Sequence, residues 1–123
     1  MKYEPLTEKI IGCAYKVYNQ MGFGFLESVY EKCLLIELKK VGLLAESQIP
    51  INVFFDGENV GEFAADILVE ETIILELKSV RRVIQAHEVQ LVNYLTSTGK
   101  KVGLILNFGP EKLDIKRKVS RLD

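Results

Sequence analysis

The hydrophobic period of this chain changes three times, and each change narrows the folds open to it. Ile10, Ile11, Ala14, Val17, Tyr18 and Met21 recur at three- and four-residue steps, predicting a helix over about residues 8–20 with Thr7 as its N-cap and Gly22 and Gly24 ending it. Leu26, Val29, Tyr30, Cys33, Leu34, Leu38 and Val41 repeat the pattern, and Gly42 closes it in a C-cap position. The pattern then becomes extended: Ile49 to Phe55, a turn at Asp56-Gly57, Gly61 to Val69, and Ile73 to Val80. These runs predict a three-stranded antiparallel meander, with Pro50 marking an edge. Ala86 to Thr98 returns to the helical period, with Val89, Val92 and Leu95 on one face and Leu91 beside it, and Gly99 stops it. Val102 to Phe108 is a last strand. The order is α-α-β-β-β-α-β plus a short C-terminal piece. A strand entered from a helix can join its sheet in parallel, so we expect a mixed sheet with helices packed on it, in one domain over residues 1–123.

Composition removes whole classes. With 123 residues, 48% hydrophobic and 27% charged, the chain suits a soluble globular domain and not a collagenous, low-complexity or disordered one. No apolar run reaches membrane-spanning length, and Ile10 to Tyr15 is cut by Lys16, so a cytoplasmic location is the expectation. Cys13 and Cys33 lack the spacing of a disulfide framework or zinc cluster and are expected in the core. The formal net charge is −1, which announces no polyanion partner, although the tail from Lys100 through Arg121 to Asp123 is basic. Serine-hydrolase chemistry has no G-x-S-x-G elbow, and Gly22-x-Gly24 follows a helix and lacks the third glycine of a dinucleotide loop.

The stretch from Phe63 to Lys78 holds the chemistry. Glu76 and Lys78 are two apart in a strand and share a face, while Leu75 and Leu77 share the other. If Val69 stands opposite Ile73 across a three-residue loop, Asp66 falls opposite Glu76; a two-residue loop turns it away. In the first register the two carboxylates have Cβ atoms about 5 Å apart, a spacing that suits a shared hard cation such as Mg²⁺. Lys78 is then placed to hold water and offset charge on a phosphoryl oxygen. The alternative is an exposed cross-strand salt-bridge cluster.

Further motifs agree in order. Leu6-Thr7 opens the first helix; Gly24, Glu27 and Tyr30 form G-x-x-E-x-x-Y at the start of the second; Ala65-Asp66, Glu76-Leu77-Lys78, His87 with Gln90 and Tyr94, and Asn107-Phe108-Gly109 follow. Over nearly its whole length the chain resembles the GxxExxY family, a branch of the PD-(D/E)XK nuclease-like superfamily. The resemblance implies an α/β (α+β) restriction-endonuclease-like fold: an αβββαβ core, a mixed central sheet flanked by helices, and an extra N-terminal helix. It implies that Asp66 and Glu76 hold metal with the Leu77 carbonyl, that Lys78 positions the water, that Glu27 adds a helix-borne acid to the metal shell, and that Gln90 and Tyr94 flank the site. Ala65 stands where the superfamily name has proline.

The expected function is therefore a Mg²⁺-dependent nuclease, with Mn²⁺ as substitute, acting on nucleic acid, DNA ahead of RNA. Asp66, Glu76 and Lys78 are its catalytic candidates. Tyr30, Gln90, Tyr94 and His87 are candidates to flank the substrate; for Tyr30 and Tyr94 a core-edge role stays open, and for His87 a half-buried hydrogen-bonding one. Arg81, Arg82, Lys100 and Lys101 are candidate phosphate contacts. At 14.0 kDa the chain is small for gripping a duplex, so a homodimer or a larger protein partner is a further expectation. The alternatives are a non-catalytic nucleic-acid-binding or regulatory module that keeps the fold, and an assembly protein that pairs through an edge strand.

Overall fold

The computed structural model describes residues 3–120; Arg121 and Asp123 of the basic tail lie outside the described residues. In chain order the elements are α1 (Glu4–Met21), α2 (Glu27–Lys40), β1 (Ala45–Phe55), β2 (Glu58–Val69), β3 (Ile73–Lys78), α3 (Gln85–Thr98), β4 (Val102–Phe108) and β5 (Leu113–Val119). One five-stranded sheet runs β1-β2-β3-β4-β5. Its β3–β4 pair is parallel and the others are antiparallel. The α3 crossover makes that parallel pair possible, as the helix between two strands predicts.

Helices cover both faces. The larger core joins Ile10, Ala14 and Val17 of α1, Leu34 and Leu38 of α2, and Ile73, Leu75 and Leu77 of β3. The smaller core packs Leu91, Tyr94 and Leu95 of α3 on Ile51, Leu68, Ile74 and Ile105. With both faces of β3 and β4 covered, their residues are buried almost without interruption. No described helix is long and apolar enough to cross a membrane.

Three local expectations change. The first helix begins at Glu4, with Pro5 in its first turn, where a missing N–H loses no bond. Thr7 is thus buried within the helix, its hydroxyl donating to the Glu4 carbonyl at 3.1 Å, and is not the cap. On α3 the buried face is Leu91, Tyr94 and Leu95, whereas Val89 is exposed. The C-terminal piece is a full strand, β5, on the sheet edge beside β4. The α2 stop is as expected: Gly42 has φ +80°, its N–H donates to the Lys39 carbonyl and that of Leu43 to the Leu38 carbonyl, the two bonds of a Schellman motif. Cys13 is buried in the core, while Cys33 is half-buried at its margin.

The β2–β3 loop sets the register. Val69 pairs with Ile73 across Glu70-Glu71-Thr72, the three-residue loop that places Asp66 toward Glu76. Thr72 N–H donates to the Val69 carbonyl at 2.9 Å, and both Glu70 and Glu71 take positive φ, 52° and 53°. Turns of this type favour glycine or asparagine, because a Cβ is strained in the left-handed region. Glu71→Gly is therefore expected to raise stability by about 0.5–1 kcal/mol, read as a higher urea midpoint with unchanged slope. A lower midpoint would show that the Glu71 side chain contributes more than its backbone strain.

Candidate active site at the β2–β3 fork

β2 and β3 pair only from Ile67 to Val69 and then part, while β2 continues with β1 as a two-stranded ribbon to the Asp56-Gly57 turn. Asp66 sits where they part. Strict alternation fails there: Ile67 and Val69 belong to the α1–α2 core, yet Ala65, an even step away, belongs to the α3 core. Opposite, Gln48 takes φ 52° between the pairs Ser47↔Ile67 and Ile49↔Ala65. Both strands of the ribbon change the face they bury at this point. Asp66 is released from the pleat, and its Oδ2 accepts the Leu77 N–H of β3 at 2.7 Å, replacing a ladder bond with a carboxylate.

Glu76 lies beside it, 7% exposed, and its Oε1 has no hydrogen-bond partner. Burial pushes its carboxyl up to about 8, and the negative charge of Asp66 adds to the rise; a backbone hydrogen bond from Asp66 and the Lys78 charge oppose it less strongly. A buried acid raised by a like-charged neighbour is not an exposed salt-bridge cluster. Side-chain ion pairs of the described residues lie elsewhere, with Lys16 and Lys40 on Glu37 and Lys118 on Glu88. Lys78, half-buried, ends β3 and pairs with Asn107 of β4.

A family model described as the PD-(D/E)XK nuclease superfamily matches residues 4–121. The chain belongs to the PD-(D/E)XK nuclease superfamily. Its fold is accordingly the restriction-endonuclease-like one, with a mixed central sheet flanked by helices and an extra N-terminal helix. The crystal structure of SSO0001 is similar, with a TM-score of 0.60 and 18% identity, over 99% of this chain and 61% of that one. That likeness bears on fold alone, and this chain spans about three fifths of the length of SSO0001. A search of the curated proteins finds no match. Asp66 and Glu76-Leu77-Lys78 spell the PD-(D/E)XK pattern, with Ala65 in the proline position.

Around this PD-(D/E)XK fork the other candidates separate. Among the described residues no three His, Cys, Asp or Glu side chains group as metal ligands, so the acids come as a pair and Glu27 does not join them. Glu27 is exposed in the first turn of α2, where its charge complements the helix dipole, above a shallow hollow shared with Phe25 and Ser79. The α2 acid that feels Asp66 is Glu31, one turn on; burial first and then the Asp66 charge raise its carboxyl, while a 2.8 Å hydrogen bond from Gln48 lowers it. Its four-residue spacing from Glu27 was the available signal. Two hard oxygen ligands and an unpartnered buried carboxylate oxygen fit a Mg²⁺ that keeps most of its waters.

Tyr30 is core. It is fully buried, its ring stacks on Phe108 with centroids 4.3 Å apart, its hydroxyl donates to the Gly22 carbonyl at 2.5 Å and accepts the Phe25 N–H at 3.3 Å. With Gly24 at φ +117°, the G-x-x-E-x-x-Y spacing thus builds the α1–α2 corner. Tyr30→Phe is expected to lower stability by about 1–2 kcal/mol and leave divalent-cation uptake unchanged; impaired uptake would place the hydroxyl in the site instead. Asn107 is likewise structural, clamping Val80 through its N–H at 3.0 Å and its carbonyl at 2.9 Å.

His87 is tied to its own helix, its Nδ1 accepting the Ile84 N–H at 3.2 Å. Tyr94 is 8% exposed, and burial, then Glu76 and Asp66, raise its hydroxyl. Gln90 is exposed and, with Tyr94, lines an open groove beside α3. Arg81 and Arg82 leave the Lys78 end of β3, exposed at the rim of a 220 Å³ hollow shared with Asn107 and Lys112. Lys100 and Lys101 precede β4, which runs parallel to β3, so they sit at the opposite end of the sheet, at least about 20 Å from Lys78 at 3.3 Å per residue. Lys100 Nζ donates to the Glu71 carbonyl at 2.8 Å. They do not adjoin the acid pair, whereas Arg81 and Arg82 follow closely on the strand that carries Glu76.

Proposed function

We propose that this protein is a Mg²⁺-dependent nuclease of the GxxExxY kind, hydrolysing phosphodiester bonds of nucleic acid, DNA ahead of RNA. The observation that carries the reading is the Asp66–Glu76 pair at the fork, with one Glu76 oxygen buried and unpartnered and Lys78 two residues on. Asp66 and Glu76 would hold the metal. Bound there, Mg²⁺ supplies positive charge to the phosphoryl oxygens and acidifies water. Asp66 also fixes β3 through the Leu77 N–H, which aims Glu76 and Lys78. The Lys78 ammonium orients the attacking water and offsets charge developing on phosphate. Arg81 and Arg82 steady the flanking backbone, and a second copy or a larger partner would add the positive surface that a chain of net charge −1 lacks.

The test is cleavage of single- and double-stranded DNA and RNA with Mg²⁺ or Mn²⁺, beside Asp66→Ala and Lys78→Ala. Cleavage by the wild type alone is expected; equal cleavage by all three proteins marks a contaminant and removes the reading's support. A non-catalytic binding module is the second reading, favoured by acids that come as a pair and by the absence of excess positive charge. It predicts strand binding with no cleavage under any of these conditions.

A further inference from the structure

An open groove of about 770 Å³ lies between α3 and the β1–β2 ribbon. Phe63 and Tyr94 form its aromatic wall, Val89 lies beside them, and Gln85, Gln90 and Asn93, which carry side-chain amides, line it too; none of its described lining residues carries a charge. The Phe63 ring is 5.8 Å from that of Tyr94, tilted by 39°, and is 47% exposed, so the smaller core does not account for it. Phosphates are held by cations and N–H donors, which makes this groove a poor seat for backbone. An aromatic face beside amides that both donate and accept suits a base, with its flat apolar faces and polar edge. Tyr94 also feels Glu76 and Asp66, so the groove opens beside the acid pair.

We propose that this groove takes an unpaired nucleobase of the strand being cut, and that the substrate is single-stranded or locally unpaired nucleic acid. The proposal rests on the nuclease reading above and names its substrate. A duplex base has both faces stacked and its edge paired, so it reaches Phe63 only after being extruded. A strand already unpaired offers its base to the groove while its phosphate lies by Glu76.

The experiment measures binding and cutting separately. Binding is followed in EDTA by the fluorescence of 2-aminopurine in a single-stranded oligodeoxynucleotide and in its duplex, with an abasic single strand as competitor. Wild type, Phe63→Ala, Phe63→Leu and Asn93→Ala are compared; Phe63 and Asn93 are exposed, so these variants should fold. The expected result is single-strand binding at least about tenfold tighter than duplex binding, weakened about 5- to 100-fold by Phe63→Ala, less by Asn93→Ala, and not restored by Phe63→Leu, which keeps bulk without a π-face. Equal affinity for duplex and single strand, no binding of the single strand, or Phe63→Ala within twofold of wild type overturns the proposal. Cutting with Mn²⁺ separates the two readings. Binding with this pattern but no cutting removes the nuclease reading and leaves the groove a base site; cutting that ignores both Phe63→Ala and an abasic target removes the groove claim and leaves the nuclease.

Discussion

Glu76→Gln is expected to make the protein more stable and abolish its cutting. The Glu76 carboxyl, at about 8 in the fold against 4.5 in an unperturbed chain, binds its proton more tightly when folded. Between those two values the folded state holds a proton that the unfolded state has released, so this group's contribution to stability falls as pH rises and its cost is complete above about pH 8. Glutamine removes the ionisation. At pH 9 the variant should exceed wild type by about 1–3 kcal/mol, taking 1.36 kcal/mol per pH unit as a ceiling lowered by local relaxation, and near pH 4 the difference should vanish. Mn²⁺ needs the ionised carboxylate and displaces its proton, so its stabilisation of wild type should be larger at pH 8 than at pH 6 and absent in Glu76→Gln. Cutting should drop at least about a hundredfold. Urea melts at pH 4 and pH 9 without metal check the first, melts at pH 6 and pH 8 with and without Mn²⁺ the second, and a Mn²⁺ cleavage assay the third; a variant less stable than wild type at pH 9 would mean the carboxylate is satisfied where it lies.

The second large effect separates the fork's roles. Lys78→Met should lower cutting about 10²- to 10⁴-fold while Mn²⁺ uptake stays within about tenfold of wild type, because the ammonium acts on water and phosphate and ligates nothing. Asp66→Asn should lose both uptake and cutting yet fold, since the amide oxygen still accepts the Leu77 N–H that Asp66 Oδ2 holds at 2.7 Å. Asp66→Ala removes that acceptor and should cost a further ~1–3 kcal/mol of stability. Calorimetric titration of the three variants beside single-turnover cutting checks the division. If Lys78→Met cuts like wild type, water is oriented by another group and Lys78 is only a charged strand end.

Much of this architecture is legible in the chain because short-range chemistry dictates it. Asp56-Gly57 turns the ribbon, Gly42 ends α2 in a left-handed cap, Pro50 lies on the edge strand, and Val102 to Phe108 is buried on both sides of the sheet. The register that brings Asp66 to Glu76 follows from three loop residues between Val69 and Ile73. What is hidden depends on contacts distant in sequence. The change of face at Asp66 comes with Gln48 on another strand, and alternation within β2 gives no notice of it. Val89 has helical spacing but is exposed along the groove beside the ribbon, while Tyr94, read as polar, is buried beside Phe63. β5 carries Lys116, Arg117 and Lys118, and charge masks a strand whose edge position lets half-buried side chains reach water. Tyr30 looks like a site residue by motif; its stacking on Phe108, from the far end of the chain, makes it a structural one.

The central claim is that Asp66 and Glu76 share a divalent cation at the point where β2 leaves β3. Anomalous diffraction from a crystal soaked in Mn²⁺ at pH 8 tests it directly. The account predicts one strong peak within bonding reach of both carboxylates, lost in a Glu76→Gln crystal treated alike. A soaked wild-type crystal with the fork open to solvent and no peak there, or with manganese held by other residues alone, would contradict it.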